Sequence, residues 1–133
     1  MDELMAKINV LIVDDCSVTR EVIARTLRMT GLELGSIYEA PDGKKGLEML
    51  DLQPVHLLFL DINMPVMDGR EMLRRIRSHQ NGSQIPILII SSESNRRQIR
   101  HFEDLNAGFV HKPFTVEQLA GAVRKLTEAS HEQ

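Results

Sequence analysis

Several polar residues of this 133-residue chain stand immediately after short apolar runs. Asp14 and Asp15 follow residues 10–13, Asp61 follows 57–60, Ser91 and Ser92 follow 87–90, and His111 and Lys112 follow 107–110. If each run is a strand of one parallel sheet, these side chains share the rim at the carboxyl ends of the strands, where open α/β sheets bind ligands. Three carboxylates crowded at one rim raise each other's pKa unless a cation compensates them. An all-oxygen donor set with neither His nor Cys suits a hard ion, and Mg²⁺ typically takes one or two carboxylates. A Mg²⁺ site at Asp14, Asp15 and Asp61 is therefore expected. A carboxylate beside such an ion can attack phosphorus, because the ion neutralises the transferring oxygens and leaves positioning as the main task. Asp61, alone at the end of the most apolar run, is the expected nucleophile. The Lys112 ammonium and the Ser91 hydroxyl would hold the phosphoryl oxygens.

The elements that must position these groups are legible in the hydrophobic pattern. The runs at 10–13, 57–60 and 87–90 are rich in branched and aromatic residues and read as central strands buried on both faces. A fourth strand at 34–39 ends in the turn sequence Pro41-Asp42-Gly43 and is expected at an edge. A fifth, 107–110, stops before Lys112-Pro113, since proline cannot donate to a ladder. Helical stripes alternate with the strands: Val18, Val22, Ile23 and Leu27, capped by Ser17 and closed by Gly31; Gly69, Met72, Leu73 and Ile76, capped by Asp68; and Val116, Leu119, Ala120, Val123 and Leu126 after Thr115. Weaker patterns predict helices over 46–52 and 95–106. Strand then helix, five times over, predicts a doubly wound α/β fold with a five-stranded parallel sheet and right-handed crossovers.

The length suits one domain, expected to occupy 1–133 with its core at about 7–128. Hydrophobic residues make up 42% of the chain and charged residues 26%, so a core can form and disorder is excluded. A formal net charge of -3 gives no general attraction for nucleic acid. No apolar run exceeds four residues, far short of the roughly 20 that span a bilayer. One cysteine, Cys16, and an amino terminus without a signal-like apolar stretch point to the reducing cytoplasm.

Asp14-Asp15, the segment DINMPVMDG (61–69), Ser91 and Lys112-Pro113-Phe114, in that order and each at a strand end, resemble the receiver domain of bacterial two-component response regulators of the stand-alone, CheY-like type. The likeness covers about residues 7–128. It implies the (βα)5 flavodoxin-like fold with strand order 2-1-3-4-5. It implies that Asp61 receives a phosphoryl group from a sensor histidine kinase or a histidine phosphotransfer protein. It further implies that Asp15 and Asp61 bind Mg²⁺, Asp14 through water, with Asn63 lending a backbone carbonyl, and that Ser91 and Lys112 serve the phosphoryl group, Lys112-Pro113 being cis. Phosphorylation would draw Ser91 inward, and Phe109 would follow, remodelling the surface of the fourth helix, fifth strand and fifth helix for a downstream target protein. Asn63 and Glu93 occupy positions that tune hydrolysis and match chemotaxis-type residues, implying a short-lived phosphoryl group. Three departures from the family pattern stand out. Ser91 lacks the methyl of threonine that stiffens χ1, Phe109 lacks a tyrosine hydroxyl, and Ser92 stands where alanine is common. A less sharply two-state, more weakly coupled switch is expected, in a monomer or a phosphorylation-dependent dimer.

Two other functions compete. A phosphohydrolase with Asp61 as nucleophile would carry a second aspartate two residues on, where this chain has Asn63. A phosphorylation-independent adaptor would have no need of the complete set Asp14, Asp15, Asp61 and Lys112. Any catalysis is thus expected to be confined to the domain's own phosphorylation and dephosphorylation. Met64, Met67 and Met72 read as packing. Cys16, with its thiol pKa raised by Asp15, reads as structural. His56, His79 and His131 show no pairing. Arg96, Arg97, Arg100 and His101 read as a solvated helix face, with docking of an acidic partner as the second reading.

Overall fold

The computed structural model describes residues 7–62, 69–79, 84–92 and 95–131. Five strands, β1 (Ile8–Val13), β2 (Leu34–Ala40), β3 (Leu57–Asp61), β4 (Ile87–Ser91) and β5 (Ala107–His111), alternate with five helices, α1 (Ser17–Arg28), α2 (Gly43–Leu52), α3 (Gly69–Ser78), α4 (Arg96–Asp104) and α5 (Val116–His131). The strands form one sheet in the order β2-β1-β3-β4-β5, and each neighbouring pair is parallel. This is the expected doubly wound fold, with β2 and β5 at the edges.

Because successive strand residues point to opposite faces, the apolar runs supply two cores at once. Leu11, Val13, Leu58, Leu60, Ile87 and Ile89 pack with Met72, Leu73 and Ile76 of α3 and Phe102 of α4. Val10, Ile12, Leu57, Phe59, Leu88 and Ile90 pack with Ile23 and Leu27 of α1 and Leu119 and Val123 of α5. β3 and β4 are buried along their whole length. Burying a Leu or Ile side chain is worth about 1.5–3 kcal/mol, so these layers fix the platform on which the rim residues stand.

The helix ends refine the sequence reading. Ser17 is the first residue of α1 rather than its cap; Cys16 holds the cap position without a side-chain hydrogen bond. The reason is local: Asp14 Oδ1 accepts the Cys16 N–H at 2.9 Å, and this turn brings Ser17 into the helix. Gly31, at φ 86, takes the left-handed conformation that lets the chain leave α1 for β2. α2 begins earlier than expected, because the Asp42 carboxylate accepts the Lys45 N–H at 2.9 Å and caps it. Asn95 caps α4, accepting from the Arg97 and Gln98 N–H groups. Beyond α4, Asn106 turns the chain into β5 with φ 61. Thr115 and Gln118 exchange hydrogen bonds in a capping box at the start of α5. Asp68 lies outside the described residues.

Two of the histidines are paired, contrary to the sequence reading. His56 Nδ1 accepts the Asn9 N–H at 2.9 Å, and His79 Nε2 lies 3.0 Å from an Asp51 carboxylate oxygen. Both contacts join segments that are distant in sequence, which is why spacing did not reveal them.

Candidate functional site

The site is built by the ends of β1, β3, β4 and β5. β1 is held between β2 and β3, and the chain leaves it at Asp14, whose N–H donates to the Ala40 carbonyl at 3.1 Å. That bond turns the Asp14 side chain inward, where it is 2% exposed, while Asp15 is exposed. Asp61 ends β3, 8% exposed, in register with Ile90 of β4. One carboxylate oxygen from each of Asp14, Asp15 and Asp61 lies within 4.8 Å of the others. The three aspartates singled out in the sequence thus converge.

Lys112 reaches the same cluster from the end of β5, its Nζ 3.6 Å from Asp14 Oδ2. The Lys112 N–H donates to the Ser91 carbonyl at 2.9 Å, which fixes the lysine backbone against β4, and the Lys112-Pro113 peptide is cis as expected. Ser91, 1% exposed, closes the rim on the β4 side. Phe109 is half-buried on β5, its ring stacked on Phe102 with centroids 6.3 Å apart and planes 9° from parallel. It also lines a groove of about 630 Å³ along the β4–β5 edge with Pro86, Ala107, Gly108, Ala122 and Leu126, none of them among the acids. Asn63 and Glu93 fall outside the described residues, as do Met64 and Met67. Met72 is fully buried as packing.

Electrostatics single out Asp14. Its Oδ1 is satisfied by the Cys16 N–H, but Oδ2 is buried with no hydrogen-bond partner. Burial raises the Asp14 pKa above its ordinary value, and the nearby Asp15 charge adds to the rise; the Cys16 N–H and the Lys112 ammonium oppose it without cancelling it. A buried carboxylate oxygen with no hydrogen bond, and with only the Lys112 ammonium at 3.6 Å to offset two more carboxylates, is an environment a hard cation would satisfy, and all the available donors are oxygens. Asp14, Asp15 and Asp61 are the residues able to hold such an ion.

Three contributors escaped the sequence reading. Gly69 was read as part of an apolar stripe, yet a Cβ there would stand 2.5 Å from the Asp61 carbonyl oxygen and 2.6 Å from Ile62 Cα. Only glycine lets α3 start this close to the end of β3. The adjacent DG at 68–69 was the available signal. Arg20 donates through Nη1 to the Asp14 carbonyl at 2.5 Å and through Nε to Glu39 at 2.8 Å, tying α1 to both β1 and β2. Nothing in its spacing distinguishes it from other helix arginines. Cys16 reverses its expected sign. Its thiol is exposed, and its pKa is lowered because the Thr19 hydroxyl and the Thr19 and Val18 N–H dipoles at the start of α1 face the sulfur and favour the thiolate, outweighing the Asp14 charge.

The family model of the response regulator receiver domain matches residues 10–124. The chain is 36% identical over 120 residues to chemotaxis protein CheY of Pseudomonas aeruginosa, covering 90% of this chain and 95% of that one. It is 33% identical over 130 residues to chemotaxis protein CheY-3 of Vibrio cholerae, covering 96% and 98%. Among solved structures, chemotaxis protein CheY4 of Vibrio cholerae superposes with a TM-score of 0.81 at 28% identity, covering 91% of this chain and 99% of that one. Members of this family generally bind Mg²⁺ at an acidic pocket and interact with histidine kinases and downstream targets as signalling domains rather than as conventional enzymes. Among the described residues no helix is long and apolar enough to cross a membrane. With the fold, the acidic rim and nearly the whole length in agreement, the chain belongs to the response regulator receiver domain family of two-component phosphorelay signalling.

Proposed function

We propose that Asp61 is the phosphoacceptor of this receiver, taking a phosphoryl group from a histidine of a sensor kinase or phosphotransfer protein. The observation that carries this reading is the convergence of the Asp14, Asp15 and Asp61 oxygens within 4.8 Å, with the Lys112 ammonium beside them. Three acids alone could form a solvated loop, but Asp14 is 2% exposed, with an oxygen that has no hydrogen bond and a single lysine beside three carboxylates, an excess of negative charge that a bound cation would offset. Asp14, Asp15 and Asp61, with the Asn63 backbone carbonyl, would hold Mg²⁺, which when bound neutralises charge on the transferring oxygens.

The chain's own residues then do the following. A carboxylate oxygen of Asp61 forms the new P–O bond in line with the breaking P–N bond, and the electron pair of that bond stays with the donor imidazole. Lys112, held against Asp14, is within reach to place its ammonium on a phosphoryl oxygen, and the Ser91 hydroxyl donates to another. Gly69 lets α3 start against the end of β3, where Asp61 stands. Water later cleaves the mixed anhydride, at a rate tuned by Asn63 and Glu93. The signal passes from Ser91 to Phe109, whose stacking on Phe102 couples β5 to α4, and the surface of α4, β5 and α5 changes its affinity for a target protein. The working unit is a single receiver domain with its core at about 7–128, acting in the cytoplasm as a monomer or a phosphorylation-dependent dimer.

The test is incubation with a small acyl or amido phosphate and Mg²⁺, followed by intact mass. One labile phosphoryl adduct, absent from Asp61→Asn and from EDTA-treated protein, is the expected result. Multiple turnovers on unrelated phosphate esters would instead make the protein a hydrolase, and the absence of an adduct would make it an adaptor.

A further inference from the structure

The charge of this molecule is strongly polarised. α3 and α4 together hold seven arginines, no lysine and three acids, leaving nine cationic residues against sixteen acids in the rest of the chain. The two helices lie side by side: Arg70 Nε donates to Gln98 Oε1 at 3.2 Å, and Arg77 donates to the Leu105 and Asn106 carbonyls just beyond α4. Helical periodicity puts Arg74 on the same face as Arg70 and Arg77, and Arg97 and His101 on the α4 face that flanks Gln98. A cationic seam about 15 Å long results, the length of one ten-residue helix.

Two features set this seam apart from an ordinary solvated surface. First, α4 carries its charges against its own dipole, with Arg96 and Arg97 in its first turn and Glu103 and Asp104 in its last, so each end is disfavoured by the helix it belongs to. Second, Arg96, Arg97 and Arg100 are exposed and pair with no carboxylate among the described residues. The neighbouring helix already displays the chemistry such arginines perform: Arg74 Nη2 and Arg75 Nε together hold the Glu71 carboxylate at 2.5 and 3.0 Å.

We propose that the α3–α4 seam is a docking surface for an acidic, glutamate- or aspartate-rich segment of a partner protein, with Arg74 and Arg97 as its central contacts. The guanidinium fork matches a carboxylate in two parallel hydrogen bonds, whereas lysine, absent here, acts as a point charge. A nucleic acid or a membrane surface is disfavoured by the net negative charge of the rest of the molecule, which would face any extended polyanion beyond this short patch. The interaction does not require phosphorylation of Asp61. Its test uses the unphosphorylated chain, so the phosphoacceptor reading can fail without affecting it.

The experiment is fluorescence anisotropy with a labelled glutamate-rich helical peptide at low salt. Wild-type protein should bind the peptide, with affinity falling as NaCl rises through about 0.1 M, where the screening length is about 10 Å. Arg74→Glu combined with Arg97→Glu should weaken binding at least about tenfold, a change of about 1.4 kcal/mol. Arg25→Glu, an exposed reversal on α1, should leave it unchanged. Thermal melts compare the folding of the variants; if the double reversal is unfolded, Arg74→Gln with Arg97→Gln serves instead, with a loss of about threefold. The proposal is overturned by absent peptide binding, by binding indifferent to the folded double variant, or by tighter binding to a duplex DNA oligonucleotide or to phosphatidylserine vesicles than to the peptide.

Discussion

The two ends of the sheet treat polar side chains in opposite ways. At the amino end, Asn9 of β1 is fully engaged: Nδ2 donates to the Pro54 carbonyl, Oδ1 accepts the Ser36 N–H, the backbone N–H meets His56 Nδ1, and the carbonyl accepts the His56 N–H. At the carboxyl end, just past Val13 of the same strand, Asp14 leaves an oxygen with no hydrogen bond and sits beside two like charges and one lysine. One end ties β1 to β2 and to the start of β3; the other gathers three carboxylates around a single lysine. The contrast is between polar groups that the fold itself satisfies at one end of β1 and a buried carboxylate that the fold leaves short of donors at the other.

Substitutions at the carboxyl end should therefore reach phosphorylation, and those at the amino end should reach stability alone. Gly69→Ala should have the largest effect, because its Cβ meets backbone atoms at 2.5 and 2.6 Å that cannot rotate away. A loss of about 3 kcal/mol is expected by chemical denaturation, together with a loss of phosphoryl adduct by intact mass. Asn9→Ala removes two side-chain hydrogen bonds and should cost about 2 kcal/mol, while the folded variant forms the adduct at the wild-type rate. If Asn9→Ala slowed adduct formation as much as it reduced stability, the division between the two ends would be lost.

Asp14→Asn should have the smallest effect and the opposite sign. The folded pKa of Asp14 is raised, so its contribution to stability is most favourable below its unfolded pKa and is lost as pH rises through the folded value. In EDTA at neutral pH the variant should be more stable than wild type, with the gap closing as pH falls through the folded pKa and gone by the unfolded value of about 4. Mg²⁺ at a hundred times its dissociation constant should stabilise wild type by about 2.7 kcal/mol and the variant by much less, as read from paired melts. An equal Mg²⁺ response in the two proteins would remove Asp14 from the ion site.

The fold was legible because the central strands are uniformly apolar and three of the five helices between and after them carry clear stripes. The convergence of Asp14, Asp15, Asp61, Ser91 and Lys112 on one rim followed from strand ends alone, since a parallel sheet aligns them whatever the loops do. Features set by tertiary proximity were not legible. Gly69 matters because of where Asp61 lies, Arg20 because of where β1 and β2 end, and the histidines because of Asn9 and Asp51. Cys16 was misread for a related reason: sequence shows the adjacent acid but not the Thr19 hydroxyl that turns back onto the sulfur.

Arg77 has a mechanical consequence. From the trailing end of α3 its guanidinium grips the carbonyls of Ile85, before β4, and of Leu105 and Asn106, before β5. The heel of α4 is thereby bolted to the start of two strands, whereas Phe102 is the only residue along the helix that is fully sunk into the core. With one end held and little buried elsewhere, any movement of α4 is expected to be a pivot about that fulcrum rather than a slide, with its leading tip travelling furthest.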